Sequence, residues 1–273
     1  MPLMKAMILA AGLGTRLLPL TKNEPKPLFP ILGQPLIDIL IRRLQQAGCE
    51  AVMINTHHLA QKIDQFVIEH DYGIPVYTRC ERTILGTGGG IKNVEEFWDD
   101  KPFMVVNGDI FSNIDLAKAY EFHLSHKDPV TLVLHDCPPF NHVWVDPGDH
   151  IVGFGQLEPC PPSRSEPAEF AQTRGHGPGT KVRQLAFTGI QFLDPQVLDF
   201  IPRGSHYSII DAYCEMIRSG MILKGHVARN HYWHDIGTMA GYQGAIREAL
   251  ARKALETLSP VAEPGTLVWT NLK

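Results

Sequence analysis

The sequence has no excess of positive charge. Its 273 residues include 25 Lys and Arg against 29 Asp and Glu, which gives a net charge of −4 with neutral histidines. Nucleic-acid-binding domains typically carry a basic surface, and this composition does not favour one. We therefore expect no nucleic-acid partner, and any anion that the protein binds must be held by local groups.

Paired cysteines and long apolar runs are also missing. The five cysteines are scattered without CxxC spacing, at Cys49, Cys80, Cys137, Cys160 and Cys214. This odd, dispersed set predicts reduced thiols, a cytoplasmic location and no zinc knuckle. No apolar stretch reaches the roughly 18 residues of a membrane span, so we expect no membrane association. The first residues lead directly into a strand-like run, so we expect no signal peptide either.

Two common nucleotide-binding motifs are incomplete. Gly12 and Gly14 follow an apolar run, but Leu17 stands where a Rossmann fingerprint has its third glycine. No GK[ST] sequence is present, so a Walker loop is excluded. A dinucleotide-dependent dehydrogenase is therefore disfavoured. The 13 histidines show no HExxH or HxH spacing, and we expect no zinc site.

Strand-like and helix-like segments alternate through the first half of the chain. Apolar runs predict the strands, and apolar residues at helical spacing predict the helices between them. We expect strands at 5–10, 51–56, 75–79, 102–109 and 130–136, helices at 35–47, 59–70 and 116–126, and a glycine loop at 86–90 that leads into a helix. The pattern predicts an α/β fold, with a Rossmann-like, mainly parallel sheet flanked by helices and ligands at the carboxyl ends of the strands.

The second half is less regular. We expect a hairpin around Pro147 and Gly148, strands at 185–194 and 221–228, and helices at 208–219 and 239–255. Residues rich in Pro and Gly predict a mobile loop or lid at 157–180. No hexapeptide repeat is present, which predicts the absence of a C-terminal β-helix. We expect one domain over 1–250, with halves at about 1–136 and 137–250, followed by a tail at 251–273.

The segment GLGTR, followed by a lysine between prolines, predicts a phosphate site. Glycine amides approach a phosphate closely, and the Arg16 guanidinium is suited to bind its oxygens in pairs. Pro25 and Pro27 restrict the backbone on both sides of Lys26, so its ammonium is presented at low entropic cost. The alternative for the glycines alone is an ordinary strand-to-helix turn with a surface arginine.

Two acids stand where a metal ligand is expected. Asp109 is the last residue of the predicted strand at 102–109, and Asp235 lies in the sequence WHDIGT. Mg²⁺ takes one or two carboxylates together with phosphate oxygens and water. Each acid alone is also compatible with a helix cap or a turn, as are Asp115 and Asp136. His234, next to Asp235, is interpreted as a solvated loop residue.

The run MILAAGLGTRLLPLTKNEPKPLFPILGQPLI resembles the motif of sugar-1-phosphate nucleotidyltransferases, LAAGxGTRLxPLTxxxPKPLxPxxxxP. The resemblance continues, in family order, through GTGGGIK, VNGDIF, FTGIQFL and WHDIGT, and covers about residues 4–245. It implies a nucleotide-diphospho-sugar transferase fold, in which the first half binds the nucleotide and the second half binds the sugar. It also implies that a sugar 1-phosphate attacks a nucleoside triphosphate with Mg²⁺ and releases pyrophosphate.

The resemblance assigns roles to individual residues. Arg16 and Lys26 would be catalytic, at the β,γ-phosphates and the α-phosphate respectively, and Asp109 and Asp235 would hold the metal. The sugar would contact Thr188 and Gly189. The nucleotide would lie along Leu9, Ala11, Gly12, Gly14, Thr15, Gly88 and Gly89.

The resemblance implies two alternatives for the nucleotide base and the sugar 1-phosphate. The motifs look most like compact bacterial uridylyltransferases acting on N-acetylmuramate 1-phosphate, but those enzymes commonly have Glu where this chain has Gly86. That departure is more similar to guanylyltransferases for mannose or heptose 1-phosphate. The Glu-Lys-Pro motif of thymidylyltransferases has no counterpart in residues 156–184, where Lys181 or Arg183 is the candidate replacement.

Other functional classes remain open at this stage. A non-catalytic nucleotide-sugar sensing subunit would share the fold, although loss of Arg16, Lys26 or a metal acid would favour it and all are present. A glycosyltransferase is disfavoured because NGDIF offers one acid instead of a DxD motif. The sequence is compatible with a homo-oligomer.

Overall fold

The structure is a computed structural model that describes residues 3–155 and 181–258. Its strands are β1 (Met4–Leu9), β2 (Pro30–Ile31), β3 (Gln34–Pro35), β4 (Cys49–Thr56), β5 (Val76–Cys80), β6 (Phe103–Asn107), β7 (Ile110–Ser112), β8 (Val130–His135), β9 (Asn141–Val145), β10 (Ile151–Phe154), β11 (Arg183–Leu193), β12 (Lys224–Val227) and β13 (Trp233–Asp235). Its α-helices are α1 (Leu36–Gln46), α2 (Ala60–Ile68), α3 (Gly86–Lys92), α4 (Leu116–Leu124), α5 (Ile209–Arg218) and α6 (Met239–Leu258).

A large mixed sheet joins the two halves of the chain. In the first half β5, β4, β1 and β6 lie side by side and all their pairings are parallel. The long strand β11 then pairs antiparallel with β6, β8 and β9, and β12 lies parallel to β8. The predicted α/β class and helix-flanked sheet are confirmed, and each antiparallel pair described in this sheet includes a strand of the second half.

Helices cover both faces of this sheet. Successive side chains of a strand point to opposite faces, so each central strand contributes to the core on both sides. In β1, Ala6 and Ile8 belong to the apolar layer that contains α1, while Met7 faces the layer that contains α5. The apolar face of α1 is fully buried, at Leu36, Ile37, Ile41 and Leu44. Two layers of core thus fix the sheet and leave its strand ends open.

Local signals explain several helix boundaries. Asp115 accepts a hydrogen bond from the Lys118 amide at 3.0 Å and caps α4, as expected. Ser208 caps α5 through the Ile210 amide at 3.2 Å. Within the described residues, no helix combines the length and apolarity that crossing a bilayer requires.

Two predictions of local structure were wrong. The glycines of GTGGG do not form a loop before a helix, because they are themselves the first turns of α3. The segment YWHDIGT is not only a loop, since β13 pairs antiparallel with β7. The predicted lid at 157–180 and most of the predicted tail at 251–273 lie outside the described residues, and α6 continues past position 250 to Leu258.

Candidate active site

The phosphate-binding candidates lie on the loop that leaves β1. Gly14 has φ +67°, and a Cβ there would lie 2.7 Å from the Cγ2 atom of Thr21. Thr21 in turn donates its hydroxyl to the Gly14 carbonyl at 3.0 Å. A side chain at position 14 would break this contact, so glycine is required for the loop to close on itself. The loop then presents Arg16 in a short 3₁₀ turn.

Lys26 lies where the sequence predicts, at the carboxyl end of the parallel strands. Both flanking prolines are buried, and the Lys26 Nζ is 2.5 Å from Oδ2 of Asp109. Their side chains are only 14% and 19% exposed, respectively. An ion pair that is shielded in this way is stronger than one on an open surface.

Asp235 reaches the same place through β-pairing. It lies opposite Ile110, the residue after Asp109, and the Ile236 amide donates to the Asp109 carbonyl at 2.9 Å. Burial and the neighbouring Asp109 carboxylate raise the pKa of Asp235, against the opposing effect of Lys26 and Arg16. Two acids that are far apart in sequence therefore face one another.

The Arg16 guanidinium lies against the WHDIGT turn. A Cβ on Gly237 would be 2.6 Å from a terminal nitrogen of Arg16 and 2.7 Å from Oδ1 of Asp235. The Gly237 amide also donates to Asp235 Oδ1 at 2.6 Å. Gly237 leaves room for arginine and acid to approach each other. The structure thus brings together all four charged residues that the sequence singles out.

A cleft opens beside these charges. Five predicted residues line it, together with several that sequence reasoning missed: Leu9, Ala11, Gly12, Lys26 and Asp109 are joined by Ala10, Pro27, Asn55, Ile84, Gly86, Thr87, Asn107 and Gly108. Asn55 and Asn107 each lie at the end of a buried strand, which was the available signal for them. The walls are mainly backbone and small side chains, a surface suited to a flat nucleoside and its phosphates.

Gly88 and Gly89 lie behind this wall. Both are buried in α3, and a Cβ on Gly89 would be 2.5 Å from the Ser205 carbonyl oxygen. A Cβ on Gly88 would be 3.1 Å from the Ile209 amide nitrogen. These glycines allow α3 to pack against the segment 205–209, and Gly86 and Thr87 line the cleft beside them. Contact of Gly88 and Gly89 with a nucleotide stays a prediction.

Thr188 and Gly189 form an irregularity in β11. The pairing of β11 with β8 shifts register between Phe187 and Gln191. The buried Thr188 hydroxyl donates to the Val133 carbonyl at 2.8 Å, while Gly189 has φ +80° and packs against Asn107 of the cleft. The bulge therefore positions backbone rather than the Thr188 side chain next to the cleft.

The remaining candidates have other partners. Arg183 ion-pairs with Asp149 at 2.5 Å, and Lys181 is exposed. His234 is not solvated as predicted, because it lies half-buried in β13, and burial lowers its pKa. Sequence reasoning also missed a partly buried pair, in which Nδ1 of His135 and Nε2 of His231 are 3.1 Å apart.

Comparison with known proteins identifies the family. The family described as "Nucleotidyl transferase" matches residues 5–142, the part of the chain that carries Arg16, Lys26 and Asp109. The chain belongs to this family. Similar proteins include a UTP–glucose-1-phosphate uridylyltransferase from Synechocystis, 31% identical over 98% of this chain and 69% of that protein. An N-acetylmuramate α-1-phosphate uridylyltransferase from Neisseria meningitidis is 30% identical over 91% of this chain and 98% of its own length.

Further comparisons agree on the reaction class. A mannose-1-phosphate guanylyltransferase from Mycobacterium tuberculosis is 32% identical, and this chain spans 61% of it. These relatives show that the present nucleotidyltransferase is an enzyme of the sugar-1-phosphate class. Among solved structures, a Bacillus anthracis protein described as a glucose-1-phosphate thymidylyltransferase aligns over 90% of this chain and 95% of its own, with TM-score 0.72 and 22% identity, which supports the fold alone.

Proposed function

We propose that this nucleotidyltransferase transfers uridylyl from UTP to a 1-phosphate of the N-acetylhexosamine or N-acetylmuramate type. For the reaction, the proposal rests on the convergence of Lys26, Asp109, Arg16 and Asp235 beside the cleft. For the substrate pair, it is supported by the relative named for N-acetylmuramate 1-phosphate, because the match covers 98% of that relative's length.

The chemistry requires alignment and charge neutralisation more than covalent help from the protein. An oxygen of the sugar 1-phosphate forms a bond to the α-phosphorus of the triphosphate, and the bond to the departing pyrophosphate breaks in line. In our proposal Lys26 contacts the α-phosphate and Arg16 contacts the departing β,γ-phosphates. The backbone at Leu9, Ala11, Gly12, Gly14 and Thr15 binds the nucleotide, and the turn at Thr188 and Gly189 binds the sugar.

Asp109 and Asp235 are the proposed ligands for Mg²⁺. Their chemistry fits this ion, because burial and mutual repulsion disfavour two neighbouring carboxylates without a cation. In the described part of the chain, no group of three or more His, Cys, Asp or Glu side chains is placed to hold a metal. Two carboxylates therefore leave most of the coordination to nucleotide oxygens and water, as is usual for Mg²⁺. When bound, the ion would neutralise phosphate charge.

The four charged side chains of the site offset one another. Lys26 is bonded to Asp109, and Arg16 lies against Asp235, so two cations face two anions. A free triphosphate would draw Lys26 away and leave Asp109 uncompensated, while a metal alone would leave Lys26 uncompensated. Metal and nucleotide bound together would give each acid and each cation a group of opposite charge to contact.

A matrix of substrates tests the proposal. The four nucleoside triphosphates are each combined with glucose, mannose, heptose, N-acetylglucosamine and N-acetylmuramate 1-phosphates, and pyrophosphate release is measured with Mg²⁺. We expect the highest kcat/KM for UTP with an N-acetylated sugar. A higher value for another pair overturns the substrate assignment, and binding of nucleotide without turnover with any pair overturns the catalytic role.

GTP with mannose or heptose 1-phosphate is the second candidate, and Gly86 is the observation that favours it. Gly86 has φ +72°, and a Cβ there would be 2.7 Å from the Tyr207 carbonyl oxygen. The glutamate common at this position in uridylyltransferases would therefore require the Tyr207 backbone to move. Because Gly86 lines the cleft, this difference changes the nucleotide side of the site. A preference for GTP in the same matrix would select this candidate.

A further inference from the structure

A carboxylate that the proposed mechanism does not use lies beneath the nucleotide cleft. Glu81 follows β5 and is only 2% exposed. Ion pairs in the described residues involve many acids, but Glu81 is not among them. A buried carboxylate without a cation is costly unless hydrogen-bond donors surround it, so its bonds identify what it holds in place.

Both carboxylate oxygens are used on the cleft wall. Oε1 accepts from Nδ2 of Asn55 at 2.7 Å, and Oε2 accepts from the Leu85 amide at 2.9 Å. Asn55 lines the cleft, and Leu85 immediately precedes α3 and the cleft residues Gly86 and Thr87. The carboxylate thus joins the end of β4 to the start of α3.

Asn55 extends this connection to the phosphate loop. Its Oδ1 accepts from the Ala10 amide at 2.8 Å, at the point where β1 ends and GLGTR begins. The bond from Glu81 fixes which end of the Asn55 amide faces Ala10, because Nδ2 has to face the carboxylate. Gly90 leaves space for this arrangement, since a Cβ there would be 2.7 Å from Asn55 Nδ2 and 2.9 Å from Glu81 Oε1.

The backbone of Glu81 is held just as firmly. Its amide donates to the Thr56 carbonyl at 2.7 Å, and its carbonyl lies 2.8 Å from Nδ1 of His57. Glu81 is therefore tied to β4 by its main chain, while its side chain bonds both to β4 and to the start of α3. The ends of β4 and β5 and the start of α3 meet at this one residue, and the end of β1 is connected to it through Asn55.

We propose that Glu81 is a positioning residue for the nucleotide half of the site. It acts through Asn55 and Leu85 to set the distance between the phosphate loop and the wall formed by α3. This inference rests on the proposed function for its kinetic consequence, although the hydrogen-bond network itself does not depend on which nucleotide binds.

The test is an exchange of amide and carboxylate between positions 55 and 81. In Glu81→Gln the side chain offers one acceptor and one donor, so either Ala10, Asn55 or Leu85 is left with a donor that has no acceptor. In the double variant Asn55→Asp with Glu81→Gln, the new aspartate accepts from Ala10 and from the new glutamine, whose oxygen accepts from Leu85. All donors are satisfied again, with the central bond reversed.

The expected kinetic result is a loss in the single variant and a rescue in the double variant. Losing one hydrogen bond to a charged group predicts that KM for the triphosphate rises roughly tenfold or more in Glu81→Gln. The KM for the sugar 1-phosphate and kcat at saturation should stay within about twofold, and the double variant should recover most of the triphosphate affinity. Equal triphosphate KM in the wild type and Glu81→Gln overturns the proposal, as does failure of the exchange to restore it.

A matched control and a ligand-free measurement separate positioning from general stability. Asp146 is a comparably buried acid, 6% exposed, that accepts from Gly148 and His150 in the β9–β10 turn. Asp146→Asn should lower the melting temperature without changing the triphosphate KM. Amide hydrogen exchange at Ala10 or Leu85 should accelerate in Glu81→Gln and slow again in the double variant. If the wild type turns over no substrate, the proposed function fails while hydrogen exchange still decides the role of Glu81.

Discussion

At the residue scale, the candidate site is held by side chains of opposite charge that face one another. Lys26 is paired with Asp109, and Arg16 lies beside Asp235. Such pairs are arranged in advance for a ligand that carries both signs, a polyphosphate and its metal. Preorganised charge of this kind stabilises a transition state without reorganisation during the reaction.

Replacement of Arg16 tests whether its positive charge stabilises the departing pyrophosphate. Arg16→Ala should lower kcat by roughly 10²–10³-fold, because the departing pyrophosphate loses a cation. Steady-state pyrophosphate release measures this effect. Arg218→Ala, which removes an exposed arginine from the end of α5, is the control and should behave as wild type. Wild-type turnover in Arg16→Ala would remove this residue from the mechanism.

Replacement of Asp109, a proposed metal ligand, tests whether its ion pair with Lys26 competes with triphosphate binding. Asp109→Asn should abolish Mg²⁺-dependent activity and leave the fold intact, because Asp109 lies at the edge of the cleft. Calorimetry should also show that metal-free triphosphate binds more tightly than in the wild type, since Lys26 has lost its carboxylate partner. Asp100→Asn alters an exposed acid and serves as the control. Unchanged metal dependence contradicts the assignment.

At the scale of elements, α3 shows that a glycine-rich run serves packing as well as binding. Propensity disfavours glycine in a helix, yet Gly88, Gly89 and Gly90 are buried in one. The gain comes from close approach, because the backbone of α3 reaches the segment 205–209 that leads into α5. The Gly89 amide donates to the Tyr207 carbonyl at 3.1 Å across this contact.

A methyl group at this contact should be costly. In Gly89→Ala the new Cβ would lie 2.5 Å from the Ser205 carbonyl oxygen, so backbone has to move. We expect the free energy of unfolding to fall by about 1–3 kcal/mol, as for other overpacked cores. Urea denaturation measures it. The exposed Gln61→Ala in α2 should have little effect, and a Gly89→Ala protein as stable as that control would contradict the packing argument.

The end of β8 gives the fold a sensitivity to acid. Burial, and then the charge of His231, lower the pKa of His135 from 6.5 to about 4. Between these two pKa values the unfolded chain binds the proton and the folded chain does not. The contribution of His135 to stability is therefore fully present above pH 6.5 and is lost as the pH falls towards 4.

The free energy of unfolding should therefore decline by about 3 kcal/mol over this window through His135. Denaturation at a series of pH values should show a shallower decline in His135→Gln. His70→Gln, in which an exposed histidine is replaced, is the control and should keep the wild-type slope. Parallel slopes in all three proteins would exclude a contribution from His135.

At the scale of the whole molecule, the two proposed halves share one sheet. The strand β11 from the second half lies directly against β6 of the first, and β13 supplies Asp235 to a site built mainly by β1 and β6. Neither half can unfold without exposing the edge of the other. This continuity supports the single domain proposed for residues 1–250.

The shared sheet predicts one cooperative unfolding transition. One variant keeps Trp98, next to Phe103 in the first half, as its only tryptophan, and a second keeps only Trp144, in β9 of the second half. Tryptophan fluorescence of the two variants should give the same denaturation midpoint. Mg²⁺ with triphosphate at about 100 times its Kd should stabilise both by about 2.7 kcal/mol. Separate midpoints for the two fluorophores would indicate two independently unfolding units.

Much of the fold and part of the site followed from the sequence. Buried strands and amphipathic helices have periodicities that local composition alone reveals, and these predicted the α/β class. Lys26 between two prolines and Asp109 after a buried strand were recognisable because the residues next to them in the sequence indicate a binding role. Glu81 was not, since its neighbours carry no pattern and its role depends on two donors, the Asn55 side chain in β4 and the Leu85 amide before α3.

The sequence by itself determined the chemical groups: a glycine loop, two cations, two acids and the strands that end beside them. Only the tertiary structure decided their partners. The pairing of β13 with β7 brings Asp235 to Asp109, and close packing against residues 205–209 turns the glycines of α3 into a buried contact. The physical reason is range: propensity and capping act within a few residues, whereas ion pairs, buried hydrogen bonds and backbone contacts join segments that only folding brings together.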